Sequence, residues 1–245
     1  MSRGLSRSLL VASIAALLVA HAGASGPSNA APAILKRFLA LDDPTPSQYR
    51  ALRHLEARND KFEKNAWMDV WTEGDGSGFR YIVVSEDGSE YIRSKVFRAT
   101  LETERKMWAA GTPDQASLTP ANYVFEDRGA QPDGLTSLTM TPRRKDVLLV
   151  DGSIFLNPDD GELVRMEGRL SKSPSFWTRR VEIVRWYRRI LGFRMPTALE
   201  SVANVRIAGV STFRMSYEYE SINGQRVGNP QPRVLARASI APQHP

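Results

Sequence analysis

Residues 177–222 read WTRRVEIVRWYRRILGFRMPTALESVANVRIAGVSTFRMSYEYESI. Trp177–Ile190, Arg194–Ala203 and Thr212–Ile222 are long and rich in β-branched and aromatic residues, with a short piece, Val205–Ile207, between the last two. Leu191-Gly192 and Ala208-Gly209 separate them as turns. Phe213–Tyr219 alternates strictly. Phe213, Met215, Tyr217 and Tyr219 fall on one side, Arg214, Ser216 and Glu218 on the other. That period of two belongs to a half-buried strand. In Val181–Arg189 one face carries Val181, Ile183, Arg185, Tyr187 and Arg189, and the other Glu182, Val184, Trp186 and Arg188. No helical pattern lies between these runs, so they predict consecutive antiparallel strands rather than βαβ units.

The same reading extends backwards. Asn122–Glu126, Leu138–Pro142, Asp146–Val150, Ser153–Leu156 and Leu163–Leu170 look like strands. Pro132-Asp133-Gly134, Asp151-Gly152 and Asn157–Gly161 look like their turns. Ala66–Thr72 and Phe79–Ser85 predict a hairpin across Gly74–Gly78, in which Trp67 and Trp71 share a face with Asp69. Three segments have a helical period. Ala33–Leu41 places Ile34, Phe38 and Leu41 one turn apart. Gln48–Arg58, with Ser47 as N-cap, stripes Tyr49, Leu52 and Leu55. Ser94–Ala110 carries Val96, Leu101, Met107 and Trp108. The expected fold class is α+β. It is one large curved antiparallel sheet, an open half-barrel, with two or three helices covering the concave face or mouth.

The N-terminus has its own logic. Arg3 and Arg7 precede the apolar run Leu9–Ala20, and Ala20-His21-Ala22 and Ala22-Gly23-Ala24 are small-x-small sites. Residues 1–24 therefore read as a secretory signal peptide. Residues 25–225 read as a single domain, and 226–245 as a Pro-rich tail with one candidate edge strand, Arg233–Ile240. The expected location is exported, periplasmic in a Gram-negative cell. Removing Arg3 and Arg7 lowers the formal charge from +6 to +4. That charge is mild and interleaved with acids, which argues against nucleic acid as a partner and leaves peripheral membrane contact as a weak attraction.

Composition excludes several chemistries. The 245-residue chain has no Cys, so it offers no thiol nucleophile, disulfide or Cys-ligated metal. Of three histidines only His54 lies in the expected body, which removes multi-His zinc sites. His54 reads as a helix-boundary residue. Glu86-Asp87 and Asp159-Asp160 read as turn acids rather than a facing carboxyl pair. Asp159-Asp160-Gly161 lacks the other ligands of a calcium loop. Ser171-Lys172-Ser173 reads as loop. Arg179, Arg180, Arg185, Arg188 and Arg189 could touch phosphate or lipid headgroups, but on a long strand they read more readily as a solvated face with cross-strand carboxylate partners. No catalytic residue, metal or cofactor is assigned, and the chain is expected not to be an enzyme. The apolar sheet face could meet packed helices or an apolar guest. If a guest, the lining would include Trp67, Trp71, Phe213, Met215 and Tyr217.

Arg144–Leu156 (RKDVLLVDGSIFL) followed by Asp159–Gly168 (DDGELVRMEG) is similar to a strand–turn–strand stretch of the periplasmic outer-membrane lipoprotein-sorting or carrier family, whose envelope-stress relatives share the same half-barrel. The motif covers some 25 residues, and the order of elements covers most of the chain. The resemblance implies an unclosed barrel whose helical lid shelters an apolar cavity. Members hold acyl chains, a lipoprotein anchor or a lipid there without covalent chemistry. It also implies lipid, lipoprotein or other envelope proteins as partners of a monomer. The alternative within the same resemblance is an interaction or stress-sensor module with a filled cavity. No family residue is carried over individually.

Overall fold

Alternating burial along the strands builds an eleven-stranded antiparallel sheet that does not close, in the order β3-β2-β1-β10-β9-β8-β7-β6-β5-β4, with the two-residue β11 pairing only β10. The computed structural model describes residues 33–41, 43–110, 116–173, 178–206 and 208–228. The strands are β1 (Tyr49–Asn59), β2 (Lys64–Asp75), β3 (Gly78–Gly88), β4 (Tyr123–Ala130), β5 (Thr136–Pro142), β6 (Val150–Leu156), β7 (Leu163–Leu170), β8 (Thr178–Ile190), β9 (Phe193–Val205), β10 (Gly209–Ile222) and β11 (Gln225–Arg226). Helix α1 spans Ala33–Ala40. Helix α2 runs over residues 90–109 and contains a π turn at Arg93–Arg98. The fold is α+β, a curved open sheet with helices on its concave side.

Topology puts α2 there. β3 and β4 are consecutive strands, yet they form opposite edges of the sheet. The chain between them must cross from edge to edge, and α2 belongs to that crossing. Its Ile92, Phe97 and Leu101 bury against Leu55, Met68, Val70 and Met215. Helix α1 presents Ile34, Leu35 and Phe38 to a second cluster of Leu138, Met140, Ile154, Leu156 and Met166. Register shows that both helices cover the same face. Ile183 of the α1 cluster is level with Ser201 and Phe213. Leu199, level with Met215 and Leu55, packs against both clusters.

Two close approaches depend on glycine. A Cβ on Gly74 would lie 2.6 Å from the Tyr49 ring and 2.7 Å from the Trp108 ring. Its absence lets Trp108 seat the end of α2 and donate to the Asp75 carbonyl at 3.1 Å. Gly152 and Gly168 face each other between β6 and β7, where a Cβ would run into backbone.

The structure corrects three expectations. Gln48–Arg58 is strand β1 rather than a helix. Its buried positions are Ala51, Arg53, Leu55 and Ala57, and the apparent stripe of Tyr49, Leu52 and Leu55 mixes the two faces. Asp151-Gly152 is not a turn but the interior of β6. The bend lies upstream instead, inside the Asp146–Val150 stretch read as a strand, of which only Val150 belongs to β6; there Asp146 Oδ1 accepts from Leu148 N at 3.0 Å. Gly74 belongs to β2, so the first hairpin turns at residues 76–77. The 33–41 and 94–110 helices and the remaining long strands agree with the sequence reading within a few residues. Residues 1–24 and the candidate strand Arg233–Ile240 lie outside the described residues.

Ile34→Val and Ile92→Val each trim one methyl group beneath a different helix. Each should cost about 0.5–1.5 kcal/mol in urea denaturation. The double variant should lose the sum to within about 0.5 kcal/mol, because the two sites share no buried neighbour. A coupling well above that would mean the two helical covers act as one.

Candidate functional site

The two helices leave a strip of the concave face less covered. Beneath α2, Leu55, Met68 and Val70 are 0% exposed, as are Leu138, Met140, Ile154 and Leu156 in the α1 cluster. Between them, on β8, β9 and β10, Arg185, Tyr187, Leu199, Phe213 and Tyr217 are only half-buried. The candidate site is this strip with its two apolar shoulders.

Three of the five sequence-predicted lining residues meet here. Phe213, Met215 and Tyr217 stand on one face of β10 and pack with the α2 cluster. The Phe213 ring lies 6.1 Å from that of Phe97. Trp67 and Trp71 do not join them. Alternation in β2 buries Ala66, Met68, Val70 and Thr72 and sends both tryptophans to the opposite face. There Trp67 borders a polar groove of about 760 Å³ with Glu56, Arg58, Asp60, Asp87 and Arg214. Trp71 lies under the Arg50 guanidinium at 4.5 Å.

The strip is not uniformly greasy. Arg53, 1% exposed, occupies an inward position of β1. It donates to both carboxylate oxygens of Glu104 on α2, at 2.6 and 2.8 Å, and to the Tyr49 hydroxyl at 2.9 Å. Its guanidinium also sits 4.7 Å from the Tyr217 ring centroid and 5.3 Å from that of Phe79. Burial pushes the Tyr49, Tyr217 and Tyr219 phenols up, so all three remain neutral. Further along, Arg194 bonds Asp43 at 2.7 Å and stacks over Phe38 at 5.0 Å, and burial lowers its pKa. Arg189 pairs with Glu162. Arg185 points the same way as Ile183. Its Nε is buried without a hydrogen-bond partner, and among the described residues no carboxylate lies within ion-pair distance of it. The expectation of a solvated arginine face holds for exposed Arg179, Arg180 and Arg188, although Arg180 pairs with Glu182 of its own strand rather than across strands. It fails for Arg185 and Arg189, which lie on the concave face.

The sequence reading missed Arg53 and Glu104, and favoured a solvated face for Arg185. The signal for Arg53 was Ala51-x-Arg53-x-Leu55-x-Ala57, an alternation hidden by one charged member. For Arg185 it was shared parity with Val181 and Ile183.

His54 stands on the other face of β1 instead of on a helix. Nδ1 meets Asp69 at 2.6 Å and Nε2 meets Glu56 at 2.9 Å. Burial alone would lower its pKa, but the two carboxylates outweigh burial and hold it above the ordinary value. Both ring nitrogens are engaged, so no free lone pair is left to activate a hydroxyl nucleophile. Asp159 and Asp160 sit in the β6–β7 turn, where Asp160 Oδ1 accepts from Glu162 N at 2.9 Å. Ser171 Oγ donates to the Asp146 carbonyl at 2.8 Å. Among the described residues no three acidic or histidine side chains converge as a metal site, and no helix is long and apolar enough to cross a membrane.

An open antiparallel half-barrel with a helix-flanked concave strip is the class these features define. No protein-family model and no curated protein matches the chain. Two solved structures are similar to it. A Vibrio parahaemolyticus domain described as an outer membrane lipoprotein-sorting protein domain shares 10% identity over 81% of this chain and 93% of that one, at a TM-score of 0.42. A DUF1329 family protein from Desulfovibrio piger shares 12% identity over 76% and 88% of the two chains, at 0.31.

Two outcomes test the polar groups. Glu104→Gln leaves Arg53 buried opposite a neutral acceptor and should cost about 3 kcal/mol. That is the low end for a broken buried pair, since Glu104 is 33% exposed. Arg53→Met combined with Glu104→Leu should recover most of the loss in the same urea titration. His54 has a raised folded pKa, so its stabilising contribution is complete below about pH 6.5 and is lost as pH rises through the folded value. The melting temperature of the wild type should therefore fall relative to His54→Gln between about pH 6 and pH 8.5. Parallel curves would show that the ring does not titrate in that window.

Proposed function

We propose that this is an exported, non-enzymatic envelope protein that holds an apolar guest, an acyl chain of a lipid or lipoprotein, against the concave strip. The observation that carries the reading is the half-buried run of Leu199, Phe213 and Tyr217 between two clusters closed by helices. Apolar surface left accessible on a concave face gains free energy when a guest covers it. A 14–16-carbon chain would contribute about 11–13 kcal/mol gross at roughly 0.8 kcal/mol per CH₂, most of it offset by ordering and desolvation. The export part rests on the basic, apolar and small-residue sequence of residues 1–24.

One observation favours a second reading, an interaction or sensor module whose hollow is filled by its own side chains. The Arg53–Glu104–Tyr49 network occupies the space between α2 and the sheet.

Native mass spectrometry of protein purified from an envelope fraction, followed by titration with the neutral dye Nile red, separates the two. The carrier reading expects copurifying acyl lipid or saturable dye binding. It also expects Leu199→Trp, which fills the strip, to weaken binding by about tenfold or more, roughly 1.4 kcal/mol, with little change in melting temperature. Neither lipid nor dye binding would leave the filled-hollow module.

A further inference from the structure

Among the described residues, Arg185 is the arginine on this strip with no carboxylate within ion-pair distance. Register places it between Met166 on β7 and Leu199 on β9, with Ile183 two residues before it on the same face. These neighbours are apolar. The other arginines on this side have acids: Arg53 has Glu104, Arg189 has Glu162 and Arg194 has Asp43. The carboxylate whose field reaches Arg185 is that of Glu104, and both its oxygens are already bonded to Arg53. Tyr187 hydrogen-bonds Arg185 and, with the field of Tyr217, holds the guanidinium above its ordinary pKa despite burial; both phenols carry hydroxyls able to donate to an anion there. Unlike Arg53, Arg189 and Arg194, Arg185 has no carboxylate within ion-pair distance among the described residues, and a guanidinium among apolar side chains is favoured when an anion completes it. A planar guanidinium with two phenols beside it suits a carboxylate or a phosphate monoester. The half-buried apolar side chains Leu199 and Phe213 lie on the same face to receive a tail.

We propose that Arg185, with the Tyr187 and Tyr217 hydroxyls, anchors the anionic head of an acyl-chain ligand, a carboxylate or a phosphate. The proposal rests on the carrier reading and adds to it the headgroup class and the polarity of binding, with the head at β8 and the tail along the shoulders.

Three amphiphiles with one C12 tail test it: laurate, dodecyl phosphate and dodecanol, each displacing Nile red from the delipidated full chain at pH 8. The expected result is that laurate or dodecyl phosphate binds at least about tenfold tighter than dodecanol. Which anion is tighter distinguishes a fatty-acid source from a phosphate one. Arg185→Met should bring the anions to the level of dodecanol while leaving dodecanol binding intact, and Arg185→Lys should keep part of the preference. Equal affinity for all three in the wild type, or a preference that survives Arg185→Met, overturns the headgroup assignment and leaves the carrier reading standing. No displacement by any of the three overturns both. Should Arg185→Met fail to fold, Tyr217→Phe and Arg185→Lys provide the same comparison, and an undiminished preference in both counts against the proposal.

Discussion

The sheet does not close, and the chain must travel from one of its edges to the other. β3 ends at one margin and β4 starts at the opposite one, so the intervening chain has to pass over a face. The concave face is the one with apolar surface to cover. A helix satisfies its own backbone during that passage, and the apolar residues of α2 settle on β1, β2 and β10. α1 enters ahead of β1 and covers the other half. Among the described residues two helices cover ten strands, and the half-buried strip along β8–β10 lies between them.

Much of this was legible in the sequence, and the misses have physical causes. The strict alternation of Phe213–Tyr219 gave β10 its true face, because every second residue is large and apolar. Gln48–Arg58 misled because its buried set is Ala51, Arg53, Leu55 and Ala57. Two small residues and a cation carry no hydrophobic signal, while Tyr49, Leu52 and Leu55 imitate a helical stripe. Asp151-Gly152 carried turn chemistry, but Gly152 is needed for the close pass against Gly168. Trp67 and Trp71 read as lining for an apolar guest, but they stand on the face opposite Met68 and Val70. Parity with Asp69, visible in the same seven residues, already set them on the other face.

The concave face combines two demands that oppose one another. The helix-covered face is mostly apolar, yet Arg53 lies inside it, 1% exposed. Bidentate pairing to Glu104 and the faces of Tyr217 and Phe79 make that burial tolerable. The pairing also ties α2 to β1 by geometry, where hydrophobic contact alone would let the helix slide. Buried pairs of this kind contribute little net stability and more to register. Outside, Glu86 serves a similar end, accepting from Arg93 and Arg98 of α2 at 2.9 and 2.8 Å.

The contrast among the arginines then has structural meaning. Arg53, Arg189 and Arg194 each lie where a helix, or the chain beside one, supplies a carboxylate: Glu104 for the first and Asp43 for the other two. Arg185 lies on the strip between the covers, where among the described residues no such element supplies one. Its strand neighbours cannot help, because the cross-strand positions on this face are Met166 and Leu199, and the acids Glu182 and Glu200 point to the other side by parity. The strip between the covers that holds half-buried Leu199 and Phe213 therefore also holds Arg185, with no carboxylate in ion-pair distance among the described residues, and both features fall within three strands.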